Sequence, residues 1–384
     1  MKTIKDFLKI TAIPLLVSAF IIVVAVISRF PEGYIFAAHD FSYPLDIQKY
    51  IESYSFLWNN YYLGLGEYTL AYSAIPFYIL VNFLKNLFNL GNSGQSIIFY
   101  ALFYLSSFWG FFISVKLFDR EKALKIWQIS LIGLAYTFNP YTFYIFYFQY
   151  GFTPFLYLYA FFPVYLGLLH RYMDSRSTTQ NMKYLSLLGV VAFLTNITNS
   201  NTPFFFSMNV LLAAYLLAYL IIHRKDHIFI NNITKILVYY AVYALSVVWS
   251  VLPLVTELHR GYAAFITGDS IYSLKDWMLT HRLTLLDIFT IHPPFIQYYY
   301  YSEKFSYYAL SLILCLLFFM SYLLSRKPNK TMVLLSIVFI ADIFLANKGK
   351  GILPDNIVWW IFKNPLLASI RSFDKSLVYV PFFI

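Results

Sequence analysis

Two acids, Asp40 and Asp46, stand close behind the first apolar run, in His39-Asp40-Phe41-Ser42-Tyr43-Pro44-Leu45-Asp46. A carboxylate held near a membrane surface among aromatic rings loses hydration and gains basicity. Asp40 so placed can take the proton of an acceptor hydroxyl, the work of a general base. Asp46 could support the same site, bind a divalent cation or contact substrate. Glu67, closing Gly64-Leu65-Gly66-Glu67, is a third acid of the same stretch. The competing reading is structural. Asp40 and Asp46 would then cap helices flanking Pro44 and stay solvated, and His39 would be a loop histidine rather than a ligand. In the tail, Arg371 and Lys375 share one helix face at i, i+4 spacing, where they could clasp a phosphate or pyrophosphate. Snorkelling at the head of another span is the bland use of the same pair.

No His-x-x-x-His, Cys-x-x-Cys or clustered three-carboxylate pattern is read as supporting a metal centre, and none is assigned. The single cysteine, Cys315, lies in an apolar run and reads as a small membrane-facing hydrophobe. Gly-rich phosphate loops are absent, which argues against nucleotide-driven chemistry on the cytoplasmic side. A net charge of +10 could invite nucleic acid, but no basic stripe interleaved with aromatics stands on a soluble face. Nucleic acid is therefore not an expected partner. The excess of Lys and Arg is what cytoplasmic loops of a membrane protein carry.

The elements that must position these residues are membrane spans. Of the 384 residues 60% are hydrophobic and 12% charged, against about 25% charged in a soluble domain. A water-soluble fold could not hide so much apolar surface, so a lipid bilayer must solvate part of it. Spans are expected at 10–28, 96–116, 125–144, 153–170, 184–199, 203–222, 236–256, 305–325 and 331–346. The fold class is thus all-α, a polytopic transmembrane bundle of about nine spans with outer juxtamembrane helices. Ile126 to Leu169 holds no charged residue and must contain a hairpin, turned at Asn139-Pro140 and Gly151-Phe152-Thr153-Pro154.

The run 74–90 is ambiguous. Were it a span, the loops carrying Lys116 to Lys122, His170-Arg171 with Arg176 and Lys183, His223-Arg224-Lys225, and Arg326-Lys327 would all lie outside. An interfacial helix at 74–90 returns all four inside, as positive-inside bias demands. Pro76, Asn82, Lys85 and Asn86 suit that placement. The expectation is an integral, multi-pass protein of the plasma membrane with a cytoplasmic N-terminus and an uncleaved first span. Its outer face would hold the loop 30–95, the loop 257–304 and the tail from Asn347. Two regions are expected: a transmembrane module over 1–256, with the catalytic loop 30–95, and a remainder over 257–384. Val378 to Ile384 reads as the opening of a tenth span, favouring a fragment over a short apolar anchor.

Secondary candidates lie on the same face. Loop 257–304 offers Glu257, His259, Arg260, Asp276, His281, Arg282, Asp287 and His292, then Tyr298 to Tyr301, whose rings could anchor at the interface or stack on sugars. The cluster Thr195 to Asn201 could cap helix ends or bond a sugar. Asp342 is expected to draw hydration from the nearby surface.

This layout resembles the GT-C superfamily of membrane glycosyltransferases, which use polyprenyl-phosphate sugars. It is most similar to the cell-wall arabinofuranosyltransferase group and bacterial membrane proteins like it. Asp40 to Asp46 stands where that group places its acidic loop residue. Tyr62-Leu63-Gly64-Leu65-Gly66 with Ile75-Pro76-Phe77 looks like its approach to the juxtamembrane helix. Leu134 to Pro140 with Gly151 to Pro154 is similar to its outer hairpin, and Trp249 to Leu254 resembles the end of its seventh span. Leu366 to Lys375 looks like its tail motif, an Arg preceding a Lys by four residues. The resemblance implies transfer of a sugar from a polyprenyl-phosphate donor to a glycan or lipid-linked acceptor, with Asp40 as the catalytic carboxylate. It leaves the role of Asp46 open. The large outer carbohydrate-binding region of that group does not stand in this sequence. A transporter or flippase of lipid-linked sugars and a non-catalytic envelope assembly protein are the alternatives; the former would need polar residues at mid-membrane and repeated halves.

Overall fold

A computed structural model describes residues 2–28, 37–38, 41–42, 47–54, 58–59, 67–68, 75–91, 94–119, 124–139, 142, 153–195, 202–224, 229–265, 330–347, 353–362 and 380–383. These are almost entirely helical. In chain order they form α1 (Lys2–Ile27), β1 (Ala37–Ala38), β2 (Phe41–Ser42), α2 (Ile47–Tyr54), β3 (Trp58–Asn59), β4 (Glu67–Tyr68), α3 (Ile75–Leu87), α4 (Gly94–Phe118) and α5 (Ile126–Thr137). Then follow α6 (Thr153–Asp174), α7 (Thr178–Leu194), α8 (Thr202–Ile222), α9 (Phe229–Phe265), α10 (Lys330–Asn347), α11 (Asp355–Phe362) and α12 (Val380–Phe383). The span at 305–325, Cys315, most of loop 257–304 and residues 196–201 lie outside the described residues.

Among the described residues four helical stretches are long and apolar enough to cross a membrane: Gly94–Phe118, Phe205–Ile222, Phe229–Val251 and Lys330–Asn347. Large apolar side chains such as Leu16, Val190, Ile230 and Leu245 are exposed on these and neighbouring helices, which fits contact with lipid tails. Helix α3 has 13 residues, about 20 Å at 1.5 Å per residue, too short for a core of about 30 Å.

The chain divides into two compact units, Met1–Ser200 with Val242–Pro253, and Asn201–Ala241 with Leu254–Ile384. In the first, α4 and α6 pack closely and run parallel. Phe103 meets Tyr159, Ser114 meets Pro163, and Phe118 meets the His170 ring at 5.0 Å. Small residues permit the approach: Ser107, Gly110 and Ser114 face inward on α4, and a Cβ on Gly110 would overlap the Ala160 carbonyl oxygen. Helix α5 returns between them, its Gly133 against Phe108. Helix α1 lies antiparallel to α4: Trp109 Nε1 donates to Ser18 Oγ at 3.1 Å, while Phe20 reaches Phe138, which touches Tyr104. Helix α7 packs back on α6, and Gly189 and Phe193 meet the Val242–Pro253 segment through Ser246 and Trp249.

Pro163 sits inside α6. Lacking an N–H, it frees the carbonyl four residues before it. That carbonyl, on Tyr159, accepts from Tyr136 Oη of α5 at 2.7 Å, and Tyr159 Oη donates back to the Tyr136 carbonyl at 2.5 Å. The two rings stack with centroids 4.4 Å apart. Beyond them, Asn139 Nδ2 donates to the Tyr136 carbonyl at 2.6 Å, and Thr142 N donates to Asn139 Oδ1 at 3.0 Å. These bonds replace the helical ladder where α5 stops. Replacing Tyr136 by Phe keeps the stack but removes the hydroxyl bond to the buried Tyr159 carbonyl, an expected loss of about 1–3 kcal/mol. Thermal unfolding of the purified variant in detergent checks this; an unchanged midpoint would contradict it.

In the second unit α10 packs on α8, and Phe339 meets Phe383 of α12 with ring centroids 5.5 Å apart. Asp342, on α10, has no exposed surface. Sequence placed it near enough to the outer surface to hydrate, but packing encloses it.

Candidate functional site

In the first unit the register sorts the charges. The start of α1, the ends of α4 and α6 and the starts of α5 and α7 gather at one end, with Lys116, Lys125, Arg171, Arg176 and Lys183. The opposite end holds the end of α1, the starts of α4 and α6, and the finish of α5. The segment carrying the acidic loop leaves from this opposite end.

That loop is anchored by its helices. Asn82 Nδ2 of α3 donates to Gln48 Oε1 of α2 at 2.9 Å, and Gln48 Nε2 donates to Glu52 at 2.8 Å. Phe77 of α3 packs edge-on against Tyr157 of α6 at 4.8 Å and against Phe99 of α4 at 6.2 Å. Helix α3 therefore buries Ile75, Phe77, Tyr78 and Val81. Its other side bares Ile79, Leu80, Phe83 and Leu87. One apolar face packs on protein and the other is left for lipid. The short α2 is carried on α3 and fixes where the acidic stretch must rejoin the bundle.

Two antiparallel ladders punctuate the loop. Ala38 pairs with Phe41 and Ala37 with Ser42, so His39 and Asp40 fall between paired residues in sequence. Asn59 pairs with Glu67, which sets the Glu67 backbone in a ladder. His39, Asp40, Asp46, Arg371 and Lys375 themselves lie outside the described residues. Of the six first-rank site residues, Glu67 alone has its backbone described; of the secondary candidates, Thr195, Glu257, His259, Arg260 and Asp342 fall on described residues.

No family profile, curated protein or solved structure matches the chain. The chemistry must be argued from its residues.

Several polar residues escaped the sequence reading. Asn232, near the start of α9, is fully buried. Among the described residues neither its amide atoms nor the Asp342 carboxylate oxygens meet a hydrogen-bond partner. Asp342 could be flagged as an acid in an apolar run. Asn232 could not, because Asn231-Asn232 reads as a polar helix start. At the basic end, His170 Nε2 lies 3.5 Å from Asp174 Oδ2. A His-x-x-x-His spacing, His223 and His227, was also passed over. The His223 ring stacks on Tyr219 at 4.2 Å and its Nδ1 sits 3.0 Å from the Tyr219 carbonyl; His227 lies outside the described residues. Among the described residues no three His, Cys, Asp or Glu side chains converge as metal ligands.

Proposed function

We propose that the protein is a membrane glycosyltransferase of about nine spans, moving a sugar from a polyprenyl-phosphate donor to a glycan or lipid-linked acceptor. The reaction takes place on the non-cytoplasmic face of the plasma membrane, with the N-terminus in the cytoplasm. The observation that supports this reading is the anchoring of the acidic loop by α2 and α3 at the end of the first unit away from its basic cluster. In this reading the carboxylate-bearing segment stands at the membrane surface, near the apolar side of α3 that lipid-borne donors can reach.

In this reading Asp40 takes the proton of the acceptor hydroxyl as its oxygen attacks the anomeric carbon. The bond from that carbon to the phosphate oxygen breaks, and the configuration inverts. The departing polyprenyl phosphate carries away the electron pair, its charge steadied by Arg371 and Lys375. Asp46 supports the base or holds a divalent cation, while His39 and Glu67 contact substrate.

One observation favours a second reading, a transporter or flippase of lipid-linked sugars. Asp342 and Asn232 are enclosed and unpartnered among the described residues, and ionisable groups inside spans often mark a path for ions or substrate. Membranes containing the protein, given polyprenyl-phosphate sugars labelled in the sugar, separate the two. Labelled product on an acceptor is expected. Movement of intact donor across the bilayer without transfer would instead establish the flippase.

A further inference from the structure

Helices α6 and α7 are joined by the short turn 175–177, at the basic end of the first unit. A cavity of about 270 Å³ opens there, lined by Arg171 and Asp174 of α6, Ser175 and Arg176 of the turn, and Gln180 and Tyr184 of α7. Its charges are organised. Arg171 donates from Nη2 to the Lys116 carbonyl at 3.4 Å, which ties its side chain to the end of α4 rather than letting it trail into water. Asp174, the acid of the lining, turns its Oδ2 to His170 of its own helix at 3.5 Å. Ser175 Oγ donates to Gln180 Oε1 at 3.3 Å, leaving the Gln180 amide nitrogen as a donor. Two guanidinium groups, an amide and a phenol thus supply donors around one space.

We infer that this cavity takes the phosphate group of an anionic membrane lipid. Guanidinium forks match phosphate oxygens in pairs. The excess of positive charge in the lining argues against a metal cation. The position argues for a lipid over a soluble anion: five residues separate the turn from the uncharged run ending at Leu169, which sets the cavity at headgroup depth. Basic pockets between spans at that level are suited to anionic headgroups. Lys183, exposed on α7, adds charge beside it.

The test uses the full chain in nanodiscs of phosphatidylcholine, with or without phosphatidylglycerol, and a phosphatidylglycerol analogue bearing a photoreactive headgroup. Phosphatidylglycerol should raise the unfolding temperature, and label should fall on the peptide spanning 171–184. In the variant carrying Arg171→Gln and Arg176→Gln, labelling should drop about tenfold or more, the loss of at least one charge-assisted hydrogen bond, and the stabilisation by phosphatidylglycerol relative to phosphatidylcholine should vanish. Should that pair fail to fold, Arg176→Gln, at an exposed position, carries the same test. Equal labelling of the variant, or label spread evenly over other helices, overturns the site. Inorganic phosphate that stabilises the protein equally in phosphatidylcholine overturns the lipid as its source.

Discussion

Replacing Asp40 by Asn is expected to slow sugar transfer by about 10²–10⁴-fold, the usual contribution of a general base. The substitution is nearly isosteric, but an amide cannot accept the proton that leaves the acceptor hydroxyl. Binding of the polyprenyl-phosphate donor should persist, because the proposed mechanism assigns the leaving phosphate to Arg371 and Lys375 rather than to Asp40. The fall should therefore appear in the rate at saturating donor rather than in the donor concentration needed. Membrane insertion and the unfolding temperature serve as controls. Transfer at the full rate would remove Asp40 from the chemistry. A loss confined to Asp46→Asn would move the base by six positions along the loop.

Gly110→Ala should destabilise the first unit by about 1–3 kcal/mol, the range for overpacking a close contact. The sign is the informative part. At an open helical position Gly to Ala gains about 1 kcal/mol, whereas here the added methyl meets the Ala160 carbonyl oxygen, a backbone atom that cannot swing away. The two helices must separate, disturbing the Ser114 bond to the Pro163 carbonyl at 2.6 Å on the next turn. Gly91→Ala is the control, since nothing lies within 4 Å of its new Cβ. Unfolding temperatures of the two variants in one detergent decide the matter, and a stabilised Gly110→Ala would refute the close crossing.

Hydropathy made most helices legible, and its failures have a common cause. The windows at 96–116, 203–222 and 331–346 nearly coincide with α4, α8 and α10, whose ends fall at charged or polar residues. Helix α7 begins at Thr178, ahead of the expected 184, because Thr178 to Lys183 continue the helix beyond the apolar stretch. Helix α9 starts at Phe229 for the same reason, and runs on to Phe265. Apolar windows measure contact with lipid, whereas helices also extend into the headgroup layer. In the other direction, α5 stops at Thr137, short of the expected 144, because Asn139 and Thr142 capture the backbone with side-chain bonds. Charge bias kept 74–90 out of the count of spans; helix length does not decide the matter, since α3 has 13 residues and α5, counted as a span, has 12. The site was less legible. Motif reading singled out acids on loops, while the burial of Asp342 and Asn232 depends on partners distant in sequence, which no local pattern encodes.

The exchange of bonds between Tyr136 and Tyr159 also bears on how the chain enters the membrane. A lone α6 passing into lipid would carry the Tyr159 carbonyl bare beside Pro163, at a cost of several kcal/mol. Tyr136 of α5 supplies a donor to that carbonyl. The uncharged stretch from Ile126 to Leu169 is thus best delivered to the bilayer as one folded pair, with α5 waiting at the insertion machinery until its successor arrives.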